Sequence, residues 1–296
     1  MRSVASTRGR RPPDTAFVLA GGGSLGAVEV GMLEALLEAG VSADLVVGAS
    51  VGAINGAHFA ARPDRDGLAL LRALWTSVRR RDVFPFSPLN GALSFLSLRN
   101  HLVNAGPLHR LLSRNLPFRD LREARIPLHL IAADALTGLE VLLSEGPVVE
   151  AVLASSAIPG VFPPIELRGR HLFDGGIASN TPIAAAVALG ARRVVVLPTG
   201  HACRLAAPPA SAIGMALHGL TLLIARQLMV DLERFADRTE LRVVPPPCPI
   251  ERSPVDFSRS LELIDTARAS TTAWLAEGGL DAGGVPESLG PHAHAM

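Results

Sequence analysis

Three short glycine-bearing corners hold the residues best suited to chemistry. Gly48-Ala49-Ser50-Val51-Gly52 follows the apolar run Leu45-Val46-Val47 and has the form G-x-S-x-G. Between a strand and a helix, such a corner drives its central residue toward positive φ and raises the serine hydroxyl off the chain. Gly21-Gly22-Gly23-Ser24-Leu25-Gly26 follows the apolar stretch Ala16 to Ala20, and a corner of that kind can turn several backbone N–H groups toward an anion. A serine hydroxyl is a weak nucleophile until a base takes its proton. Asp174 closes an extended segment and is followed by Gly175 and Gly176, which let the backbone come close. Anion hole, raised serine and base are the minimum equipment for acyl transfer.

Each corner has competitors. Gly21 to Gly26 also satisfies G-x-G-x-x-G, the dinucleotide fingerprint, which needs an acid at the far end of the second strand to hold a ribose. Here Asp44 precedes that strand and Gly48-Ala49-Ser50 occupies its end, so the acid stands at the wrong end. A purely structural tight turn is the other reading of this corner. Ser50 could simply cap the following helix, and Asp174-Gly175 is also a common turn pair. His201 is a rival base: Ser50, Asp174 and His201 occur in the chain order of α/β-hydrolase triads.

Composition narrows the chemistry further. The 296 residues contain no lysine and no tyrosine, which removes Walker-type phosphate loops, Schiff-base enzymes and Ser-Lys dyads. A net charge of +1 makes no electrostatic case for nucleic acid. Cys203 and Cys248 form neither a tetrahedral metal site nor a disulfide framework and point to a reducing cytoplasm. No oxygen-rich calcium loop is visible, His292 and His294 fall in a Gly/Pro/Ala tail, and no cofactor or metal is expected. No pattern fixes the oligomeric state.

The elements that must carry these corners alternate. Strands are expected at 16–20, 45–47, 128–133, 139–143, 193–197 and 241–244, with an extended, turned segment over 161–173. Helices are expected at 28–37, 51–61, 68–78, 108–114, 148–156, 182–189, 212–236 and 260–276. Continuous apolar strands alternating with helices imply a largely parallel sheet covered on both faces. The domain should span 15–277, after a flexible basic N-terminus at 1–14 and before a disordered tail at 278–296. Ala212 to Val230 is long enough to span a membrane, but His218, Arg226 and the polar continuation after Val230 favour a helix packed on the core. Arg79 to Asn104, with Phe84, Phe86 and Phe95 among arginines, reads either as cover for an apolar site or as a solvated loop with its phenylalanines tucked inward.

The two corners, Asp174-Gly175-Gly176 and the stretch Ala154-Ser155-Ser156-Ala157-Ile158-Pro159-Gly160-Val161-Phe162-Pro163-Pro164 together resemble the patatin-like phospholipases, in the same order along the chain. The resemblance implies a three-layer α/β/α sandwich and a serine acyl hydrolase acting on lipid carboxyl esters without a histidine. In it Ser50 is the nucleophile, Asp174 its base, and the N–H groups of Gly21, Gly22 and Gly23 the oxyanion hole, supported by Gly26, Gly48, Gly52, Gly175 and Gly176. The partner it implies is a lipid or ester substrate, with peripheral membrane contact left open. The family commonly carries Arg or Lys where this chain has Leu25, which leaves phospholipid, lysolipid and neutral ester all in view. A catalytically silent lipid-binding protein of the same fold is the remaining alternative.

Overall fold

The computed structural model describes residues 13–85, 100–200, 208, 210, 212–248, 253–282, 286 and 289, with backbone only at 212–214, 216 and 217. Eight strands form one sheet: β1 (Thr15–Leu19), β2 (Leu45–Ala49), β3 (Leu128–Asp134), β4 (Glu140–Leu143), β5 (Ile165–Leu167), β6 (Arg170–Asp174), β7 (Arg193–Leu197) and β8 (Glu240–Val243). The order is β5-β6-β3-β2-β1-β7-β8, with β4 added on β3. The five strands from β3 to β8 are parallel, whereas β4, β5 and β6 pair antiparallel.

Alternation along the central strands builds two cores. On β1, Phe17 and Leu19 face one cluster while Ala16 and Val18 face the other. On β7, Val195 and Leu197 are divided from Val194 and Val196 in the same way. A strand apolar on both faces must be covered on both. The larger cluster is closed by α1 (Ala27–Glu38), α2 (Val51–Ala61), α3 (Arg65–Ser77), α5 (Gly106–Asn115), α6 (Val148–Ser155) and α10 (Ser260–Ala276), after a short α4 (Arg80–Val83). The smaller is closed by α8 (Ile183–Ala188) and α9 (Ala212–Phe235), which follow the one-turn α7 (Gly176–Ser179). This is a three-layer α/β/α sandwich.

The extended segment 161–173 is a hairpin whose turn holds Arg168 at φ 53° and Gly169 at φ 72°, the double positive-φ corner that suits twisted strands. Beyond 277 the chain still packs: Arg242 bonds the carbonyl of Leu280, and Leu289 is buried in the smaller core. At the other end, Asp14 accepts from Arg193 and is ion-paired with Arg192. The membrane-length candidate is the N-terminal part of α9. Among the described residues no helix is long and apolar enough to cross a membrane.

Candidate active site

Strand β3 acts as the ruler of the site. At Leu130 and Ile131 it pairs with both β2 and β4, and at Ala132 and Ala133 with both β4 and β6. Because β4 runs along one edge throughout, β2 and β6 must share the other edge in succession. Ala49 is opposite Ile131, and Asp174 is opposite the next residue, Ala132. Ser50 follows Ala49, so the parallel strand that ends and the antiparallel strand that arrives deliver serine and aspartate to one point. The Ser50 Oγ donates to Asp174 Oδ2 at 2.6 Å.

The corner that lifts Ser50 is tightly closed. Ser50 has φ 55° and ψ −122°, a conformation that costs a non-glycine residue about 1–3 kcal/mol. Gly48 and Gly52 make the turn fit: a Cβ on Gly48 would come within 2.3 Å of the Gly52 carbonyl oxygen, and one on Gly52 within 2.3 Å of the Leu19 oxygen. Side-chain bonds hold the strained residue at both ends. Its N–H donates to Ser155 Oγ at 3.0 Å, while Ser155 donates to the Ile131 carbonyl at 2.6 Å. Its carbonyl accepts from Ser156 Oγ at 3.2 Å. The same segment braces the aspartate, since Asp174 N donates to Ala157 O and Gly175 N to Ser155 O.

Asp174 is buried, with Oδ1 accepting from Gly176 N at 2.7 Å. Burial pushes its carboxyl up from 3.8 to about 6, against the lowering effect of the Ser50 and Gly176 bonds. The carboxylate is therefore ionised at neutral pH, and a far better proton acceptor than an exposed one.

The first corner flanks this pair. A Cβ on Gly21 would stand 3.2 Å from the Ser50 Cβ. Gly21 is anchored through both backbone groups: its N–H donates to Asn180 O at 3.0 Å, and its carbonyl accepts from Thr199 Oγ1 at 2.8 Å. Its N–H is thus already engaged. Ser24 N donates to Pro254 O and Ser24 Oγ to Ser253 O. Among the described residues the N–H groups of Gly22 and Gly23 have no hydrogen-bond partner. Gly23, at φ 61°, forms part of the wall of the pocket onto which Ser50 opens.

That pocket is narrow and partly open to solvent, with a cavity volume of about 70 Å³. Apart from Gly23, Ser50 and Ser156 its wall is apolar: Val51, Ile54, Leu74, Trp75, Val78, Val83, Phe84, Leu108, Leu111, Ile158, Phe162 and Phe257. Phe84 stacks on Phe162 at 5.6 Å and Trp75 on Phe257 at 6.1 Å. Phe84 thus joins the apolar wall, as one reading of the 79–104 segment expects, while Phe86 and Phe95 lie outside the described residues. So does His201. No histidine among the described residues bonds Ser50 or Asp174. Leu25 is half-buried against the larger core.

Motif reading singled out Ser50 and Asp174 but assigned no task to Ser155, Ser156, Asn180 or Thr199. Ser155 and Ser156 belong to the Ala154–Pro164 stretch, which was legible as a block without a role. Asn180 and Thr199 stand alone in sequence, Thr199 two residues past β7, and only the sheet brings them to Gly21.

The Patatin-like phospholipase family profile matches residues 17–187, more than half of the chain. An NTE family protein of Mycobacterium tuberculosis is 32% identical over 186 residues, covering 60% of this chain and 46% of the relative. Patatin-like phospholipase domain-containing protein 7 of Rattus norvegicus is 27% identical over 191 residues, 62% of this chain and 13% of the relative. The chain thus spans less than half the length of these curated relatives. Among solved structures, VipD from Legionella pneumophila aligns over 92% of this chain and 67% of its own, with 16% identity and a TM-score of 0.46. Human GIVD cytosolic phospholipase A2 aligns over 91% and 60%, with 13% identity and a TM-score of 0.48.

Proposed function

Since the chain belongs to the patatin-like phospholipase family, we propose that it is a serine acyl hydrolase that cleaves lipid carboxyl esters through a Ser50–Asp174 dyad. The observation that carries this reading is the 2.6 Å bond from Ser50 Oγ to Asp174 Oδ2 at the mouth of an apolar pocket.

Ser50 Oγ attacks the ester carbonyl carbon as Asp174 Oδ2 takes its proton. Negative charge develops on the carbonyl oxygen, where the N–H groups of Gly22 and Gly23 stabilise it. Gly21 contributes by its close approach and its anchoring, its own N–H being spent on Asn180. Collapse breaks the C–O bond, and protonated Asp174 returns the proton to the departing alkoxide. The acyl group is left on Ser50. Water then attacks the acyl carbon, losing a proton to Asp174 and freeing a fatty acid and Ser50.

The walls of the pocket suit an alkyl chain, which gains about 0.8 kcal/mol for each buried CH₂. With an apolar Leu25 beside the corner, neutral esters and lysolipids are substrates on an equal footing with phospholipids. Contact with a lipid surface is expected to be peripheral.

A fluorophosphonate probe followed by peptide mapping tests the reading. Labelling on Ser50, lost in Asp174→Asn and kept in His201→Ala, is the expected result. Absence of labelling in folded protein would favour a silent lipid-binding protein, and loss of hydrolysis in folded His201→Ala would favour a Ser-His-Asp triad.

A further inference from the structure

Behind the glycine corner lies a second buried carboxyl that the reaction does not use. Glu29, the third residue of α1, is fully buried. Its Oε2 accepts from Asn55 Nδ2 at 2.7 Å, and the same amide nitrogen donates to the Gly26 carbonyl at 2.9 Å. Asn55 Oδ1 accepts in turn from Trp75 Nε1 at 2.8 Å. The chain of bonds joins three helices and two functional parts. Asn55 is on α2, five residues after Ser50. Gly26 closes the corner that carries Gly22 and Gly23. Trp75 is a wall of the acyl pocket.

We propose that Glu29 and Asn55 are positioning residues, a bridge that fixes the glycine corner against the nucleophile helix and so sets the oxyanion donors relative to Ser50. A run of glycines has no side chains with which to hold itself, so its position must come from its neighbours. At its start the corner is tied by Asn180 and Thr199, and midway by Pro254. At its end the tie is Asn55, and Asn55 is held by Glu29. Donors must lie about 2.7–3.1 Å from the developing oxyanion, and a displacement of about 1 Å costs about 10²-fold in rate. Burial lifts the Glu29 carboxyl well above the ordinary range, against the lowering effect of Asn55 and the Ala20 backbone. Glutamine keeps an oxygen that can accept from Asn55 and is the conservative substitute. The inference rests on the proposed acyl-transfer reading of Ser50.

The test is steady-state hydrolysis of a soluble acyl ester, with fluorophosphonate labelling rates, for wild type, Glu29→Leu, Glu29→Gln and Asn55→Ala. Folding is checked by thermal denaturation. Glu29→Leu and Asn55→Ala should lower kcat about 10- to 100-fold with KM unchanged, and labelling should slow in parallel. Glu29→Gln should recover most of the loss. The two disruptive variants break the bridge from opposite helices, so either one carries the test if the other fails to fold. Wild-type kcat in a folded disruptive variant, or a loss expressed in KM, overturns the bridge while leaving the Ser50 reading intact. A wild-type protein that neither hydrolyses nor labels overturns the Ser50 reading itself.

Discussion

Replacing Asp174 by Asn should abolish activity and, at neutral pH, make the protein more stable. The side chain is isosteric, and its bonds can be kept: Oδ1 can still accept from Gly176 N, and the new Nδ2 can donate to a Ser50 hydroxyl that turns to accept. What disappears is a buried charge. In the folded protein burial raises the Asp174 carboxyl from 3.8 to about 6, so folding favours its protonated form. Below the unfolded value the group is protonated in both states and costs nothing. Between there and about 6 the cost of ionising it in place grows, and above that it is complete. At about 1.4 kcal/mol per pH unit the full cost is on the order of 3 kcal/mol. A domain of this size gains roughly 2–4 °C in Tm per kcal/mol, so Asp174→Asn should melt several degrees above wild type at neutral pH. Below the unfolded value near 3.8 the advantage should vanish. Activity should move the other way: loss of a general base costs about 10²–10⁴-fold, and wild-type kcat/KM should fall about tenfold per pH unit below about 6. Calorimetry across pH and a pH–rate profile for a soluble ester check both halves. A flat wild-type profile through pH 6, or a variant no more stable than wild type at neutral pH, would refute the reasoning.

Ser155→Ala strands the Ser50 N–H and the Ile131 carbonyl, both buried. It should cost about 1–3 kcal/mol of stability and lower kcat more than it raises KM, as read from denaturant melts and hydrolysis rates. Gly22→Ala would put a methyl 2.1 Å from Thr199 Oγ1 and push the corner away from Ser50. A kcat loss on the order of 10² in folded protein is expected, and unchanged kcat would remove Gly22 from the anion-binding role. Leu111→Trp narrows the pocket without touching the dyad. The ratio of kcat/KM for long over short acyl esters should fall by about 0.8 kcal/mol per excluded CH₂, measured across a chain-length series.

Local rules carried much of the architecture. β1, β2, β7 and α10 fall within a residue or two of where apolar runs and glycine stops indicate, and Ser50 has the positive φ that its corner demands. Local rules could not reach the meeting of β2 and β6 on one edge of β3. That meeting depends on pairing between residues far apart in the chain, 49 with 131 and 132 with 174. The bracing serines were hidden for a related reason. A serine near the end of a helix carries no local sign that its hydroxyl will satisfy a strained backbone elsewhere. The work of Asn180 and Thr199 on Gly21 likewise exists only once β1 and β7 lie side by side. Gly and Pro content makes the tail a candidate for disorder; among its described residues, Leu289 is buried and Leu280 accepts from Arg242.

The junction on β3 also explains why Ser50 and Asp174 come from elements of opposite direction. A parallel strand ends at the catalytic edge, so it can present a residue in the corner that follows it, as β2 presents Ser50. A base needed beside that corner must arrive along the same edge, in the space that β2 vacates. An antiparallel strand entering there fills the open hydrogen-bonding positions of Ala132 to Asp134 and ends facing the serine. Its last residue is then buried beneath the elbow and desolvated by the very pairing that delivers it, which is the main cause of the raised Asp174 carboxyl. Register and basicity are therefore one property. A one-residue slip of β6 along β3 would turn Asp174 to the opposite face of the sheet, separating it from Ser50. The exit from β6 requires glycine at 175, where a Cβ would meet the Ile131 carbonyl at 2.1 Å.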